Sequence, residues 1–93
     1  MARIFTNYTT GENLRTECIN FHTHTTISNE YTLEGAYNEL MRQLDMGPIT
    51  DVFYQLNNND IFFTADNTRY ALDVKSIERS DYYQITFSLY KSI

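Results

Sequence analysis

The chain has no tryptophan, one proline, one cysteine and three glycines, and each scarcity excludes something. A lone cysteine, Cys18, forms no internal disulfide and fits a reducing compartment. The three glycines, Gly11, Gly35 and Gly47, stand apart, so no glycine-rich phosphate loop exists. No window approaches the length of a membrane span, and the opening MARIFTNYTT lacks an apolar core of signal-peptide size. The expectation is a soluble, cytoplasmic protein without membrane contact, in which the glycosylation sequon Asn7-Tyr8-Thr9 carries no meaning. Runs of like charge and basic stripes are absent too. Twelve acids against seven bases leave a net charge of −5, which opposes direct binding of nucleic acid and favours a basic partner or plain solubility.

What is present can build a core. Apolar residues make up 42% of the 93 positions, with eight Tyr and six Phe, which is far from the composition of disordered chains. The length is that of a single domain spanning 1–93. Leu33, Ala36, Tyr37, Leu40, Met41 and Leu44 recur at spacings of three and four, predicting an amphipathic helix over about 32–46. Thr32 is its N-cap, Glu34 suits the first turn, and Gly47-Pro48 is the stop. After Pro48 the period changes to two. TDVFYQL, IFFTA, RYALDVK and YYQITFSLYK read as four strands, with NNND, DNT and the connection SIERSD between them. RIFTNY is a further strand. Residues 14 to 26 read either as one strand or as a short helix and a strand, with strand favoured from Thr16 because Ile19, Phe21 and the threonines suit a sheet. The expected fold is α+β: an N-terminal β-hairpin, then one central helix packed on a four-strand antiparallel meander over about 50–91.

The chain's two histidines stand one residue apart in NFHTHTT. On a strand, His22 and His24 face the same way about 6.6 Å apart, close enough to share a metal. A third ligand is harder to find. Cys18 has the same parity, but four strand residues span ~13 Å, beyond one zinc shell. His-x-His followed by Glu30 is similar to the cupin metal pattern, yet the spacing is too long and the flanking glycines are missing. His24-Thr25-Thr26 resembles one phosphoesterase half-motif where two are needed. A nucleophilic role for Cys18 lacks a base within reach. The expectation is therefore no catalysis and no cofactor, with a small metal-dependent enzyme using His22 and His24 as the weaker alternative.

The aromatics carry the functional reading. With Val52, Leu56, Tyr70, Leu72, Val74, Ile85, Phe87 and Leu89 under the helix, the opposite sheet face bears Phe53, Phe62, Tyr82 and Tyr90. Aromatics interleaved with polar residues suit partner binding. The alternatives for this face are a homodimer seam or a cover formed by the N-terminal hairpin. Asp51, Asp73 and Asp81 are the acids expected to occupy phosphate sites of a nucleic-acid-binding protein partner. In shortness, acidity and Tyr and Asn content the chain looks like the small inhibitors and adaptors of phages and mobile elements, of the anti-CRISPR or anti-restriction kind. A second reading is an oligomeric nucleotide binder, if Arg15, Arg42, Arg69 and Arg79 converge.

Overall fold

The computed structural model describes residues 2–27 and 31–93, without the side chains of 26 and 27. Among these residues run β1 (Ala2–Thr6), β2 (Asn13–Ile27), α1 (Leu33–Gln43), β3 (Ile49–Gln55), β4 (Asp60–Ala65), β5 (Thr68–Glu78) and β6 (Tyr82–Ser92). The strands form one antiparallel sheet in the order β1-β2-β6-β5-β4-β3.

This overturns the expected α+β arrangement of a hairpin beside a helix-bearing four-strand meander. The protein is mostly β, and its six strands make one half-barrel sheet. The cause is β2. Its 15 residues form a single strand with no helix at its start, and it pairs with β6 from Thr16↔Ser92 to Ile27↔Tyr82. N-terminal and C-terminal strands are thereby fused. β5 likewise continues to Glu78, absorbing half of the expected connection SIERSD.

Two β-bulges explain why the alternation of apolar residues misleads. A bulge adds one residue and moves every later side chain to the other face. In β2 the register slips between Cys18 and Asn20, so Leu14, Thr16 and Cys18 face one way while Asn20, His22 and His24 face the other. In β3 it slips between Thr50 and Phe53, where Asp51 takes a left-handed φ of 53°. Ile49 and Tyr54 consequently share the helix side, whereas Val52 and Leu56, expected in the core, are exposed.

The helix caps through Thr32, whose hydroxyl accepts the Gly35 amide at 3.0 Å. A Cβ on Gly35 would lie 2.8 Å from that hydroxyl oxygen, so glycine keeps the cap open. The helix stops at Gln43, short of the expected 46. Leu44 turns to extended backbone while its amide still bonds the Leu40 carbonyl. Gly47, at φ 75°, serves the link to β3 and not the cap. Leu33, Ala36, Tyr37 and Leu40 bury against Ile61 and Phe63 of β4, Leu72 and Val74 of β5, and Ile85 and Phe87 of β6. The turn between β4 and β5 has two residues, Asp66 and Asn67, both at positive φ, as a tight hairpin of this twist requires.

A second core lies on the opposite face. The sheet curls so that β1 crosses over β4, β5 and β6, and Phe5 meets Phe62 and Tyr90 edge-on at 6.3 and 4.9 Å. Gln55 stitches the two edge strands together. Its amide nitrogen donates to the Thr6 carbonyl at 3.0 Å and its oxygen accepts the Tyr8 amide at 2.8 Å.

Candidate functional site

The expected contact residues fall into different environments. Phe62 is 0% exposed and, with Phe5 and Ala71, forms the second core against which Phe53 and Tyr90 pack. These aromatics therefore lie beneath the N-terminal hairpin. Tyr82 stands apart at the far end of β6 and is 38% exposed.

The acids separate as well. Asp51 and Asp81 are both exposed, yet they sit near opposite ends of β5, which spans about 30 Å between Arg69 and Glu78. Asp73 accepts from Arg3 at 2.7 Å. It lies directly across from Asp60 in the ladder, and Arg3 also covers the Phe5 ring at 4.2 Å from its centroid. Burial raises the Asp60 carboxyl to about 6; Arg3 opposes the shift and Asp73 adds to it. Two like charges directly across a ladder repel, and Arg3 offsets this where β1 crosses the sheet.

Nor do the arginines converge on an anion site. Arg69 binds Glu12 at 3.0 Å and the Asp51 carbonyl at 2.7 Å, pinning the β1–β2 turn to β5. Arg42 pairs with Glu39, and Arg79 donates to Gln84. Arg15 is exposed on β2.

The histidines share the helix side of β2 but open into separate hollows. His24, Tyr31, Gly35, Glu39 and Ile85 border a cavity of about 140 Å³. His22 borders a much smaller one with Leu40, Leu44 and Phe87. The bulge turns Cys18 to the opposite face, so strand distance is not the only obstacle to a shared metal. Among the described residues no three His, Cys, Asp or Glu side chains gather as metal ligands; Glu30 lies outside them.

One surface escaped the sequence reading. Past the bulge, β2, β6 and β5 form a three-strand platform on the face away from the helix. Its cross-strand rows are Phe21, Ser88 and Asp73, then Thr23, Thr86 and Lys75, then Thr25, Gln84 and Ile77. Phe21 is 70% exposed and Ile77 51%, and Tyr82 continues the face beyond the last row. The hairpin covers the Phe62 half of this face and leaves the platform open. The signal in the sequence was Phe21 amid threonines, which becomes a surface feature only once the bulge is known.

Among the described residues no helix is long and apolar enough to cross a membrane. No family model matches the chain, and neither the curated proteins nor the solved structures contain a significant match.

Proposed function

We propose that this chain is a non-catalytic protein-binding module that occludes a functional surface of a nucleic-acid-handling partner, as inhibitors and adaptors of mobile elements do. The observation that carries this reading is the open platform. Its centre holds Phe21, Ile77 and Tyr82 among polar side chains, with exposed Lys75 and with Arg79 donating to Gln84. Exposed Asp81 stands at its margin, whereas Glu78 accepts from the Tyr83 hydroxyl on the helix face. Few charges at the centre and aromatic anchors are the composition of an interface core, and charged groups belong at its rim. The excess of five negative charges favours a basic protein surface over phosphate, and acts mainly on the rate of encounter. Tyr82 and Asp81 remain from the contact set expected from sequence. Phe53, Phe62 and Tyr90 support the platform from the adjoining core, and Asp73 serves Arg3. The lone thiol, Cys18, supports a reducing cytoplasm under this reading.

The test is a photo-reactive residue at Tyr82 in the host lysate, with the crosslinked protein identified by mass spectrometry. Ile77→Ala with Tyr82→Ala should abolish the crosslinked species formed from a probe at Thr86 while leaving the melting temperature within a few degrees. Retention of that species would sink the surface. Tight binding of an oligonucleotide at physiological salt would sink the choice of partner.

A further inference from the structure

We propose that the outer edge of β2 over Asn20–Thr25, the segment NFHTHT, pairs antiparallel with the same edge of a second copy of this chain. β1 covers β2 only over Asn13–Glu17. Beyond that, among the described residues, the outer edge has no strand beside it, although its inner edge is paired with β6 throughout.

Exposed sheet edges ordinarily carry a charge, a proline or a bulge that prevents pairing with another chain. The other edges of this sheet are protected in that way. β3 carries the bulge at Asp51, and Gln55 ties it to β1. The free end of β5 carries exposed Lys75 and Glu78. Asn20–Thr25 contains no Asp, Glu, Lys, Arg or Pro, and the bulge of β2 lies before it. It is a regular, neutral edge.

Charge selects the occupant. A chain of net charge −5 repels its own copies, and a meeting surface without acid or base adds no local repulsion to that. A basic segment would gain nothing from a neutral edge. A two-fold axis makes an antiparallel edge complementary to itself, since each residue's pairing is returned by the second copy. With that axis normal to the sheet, both helices lie on one face. At the two central registers, Phe21 then falls beside Thr23 or Thr25 of the second copy, an aromatic and β-branched pairing that favours sheet contact. The platforms of the two copies become one continuous face. The segment borders the platform, to which Phe21, Thr23 and Thr25 belong, but the pairing uses the free backbone edge of β2 and does not require the partner reading.

Six residues a side bury less than a standard interface, so a dissociation constant on the order of 10–100 µM is expected. Sedimentation velocity of the full chain should show the mass rising from monomer to dimer across that range. Thr23→Lys, which sets like charges beside the axis, should stay monomeric with an unchanged circular dichroism spectrum; Thr25→Lys is the substitute if that variant misfolds. Hydrogen exchange of the Asn20–Thr25 amides should slow as concentration rises, with those of Ile49–Gln55 unaffected. A parent that stays monomeric at millimolar concentration overturns the proposal. So does a dimer that survives Thr23→Lys, or protection that grows in β3 instead. Tyr82→Ala should leave the dimer intact, separating a failure of the edge from a failure of the platform.

Discussion

Phe5→Ala tests whether the N-terminal hairpin is a structural cover or a loosely held flap. Phe5 is 2% exposed and sits edge-on to Phe62 and Tyr90, with the Arg3 guanidinium over its ring. A buried aromatic removes about 150–250 Å² from water, worth roughly 4–6 kcal/mol at 25 cal/mol/Å² as an upper bound. Measured Phe→Ala truncations cost about 3–5 kcal/mol. A five-residue edge strand can settle into part of the void, so we place this one at ~3–4 kcal/mol. A domain of this size is stable by roughly 5–14 kcal/mol in all, and each kcal/mol moves its melting midpoint by about 4–8 °C. The expected fall is therefore about 12–30 °C, read by thermal circular dichroism. Hydrogen exchange adds a spatial readout: β1 amides should exchange by local opening in the variant while β6 amides retain protection against β5. A fall under about 5 °C, outside the range the burial implies, would show that Phe5 does not seal the second core. The platform would then have to be redrawn to include Phe62 and Tyr90.

Three further outcomes follow from the same geometry. Leu40→Ala should cost about 2–5 kcal/mol by urea denaturation, because Leu40 is buried among the β4–β6 side chains; an unchanged midpoint would place the helix stripe in solvent. Asp60 has a folded pKa near 6, above its ordinary 3.8. Its contribution is thus fully present below 3.8 and lost as pH rises through 6. Asp60→Asn should then melt higher than the parent at pH 7.5, with the gap closing toward pH 4, and a gap independent of pH would remove the buried carboxylate from the account. Gln55→Ala should leave the Tyr8 amide without its side-chain acceptor and cost about 1–3 kcal/mol. Faster exchange confined to Tyr8 and its neighbours would show a local seam, and no change there would deny one.

Much of the local structure was written in the residues. The spacing of Leu33, Ala36, Tyr37 and Leu40 is a helical stripe whatever surrounds it, and Thr32 caps it because a hydroxyl there reaches the Gly35 amide. Asp66 and Asn67 tolerate the positive φ of a two-residue turn. Period-two patterning marked strands in the C-terminal half, since alternate residues face opposite sides of any sheet. The candidate site was less legible: Tyr82 and Asp81 were named, while Phe21 and Ile77 were not.

Tertiary structure decided the rest. A bulge costs one residue and leaves no local mark, so nothing in CINF announces that Cys18 and His22 face opposite ways, nor in TDVF that Val52 leaves the core. Which strands become neighbours is equally non-local. β2 joins β6 because the two can pair along more than ten residues, a gain no window of sequence contains. That pairing carries β1 across the sheet, where Phe5 covers Phe62 and Tyr90. Sequence determined that an aromatic face would exist; the curl of the sheet determined which half of it water can reach.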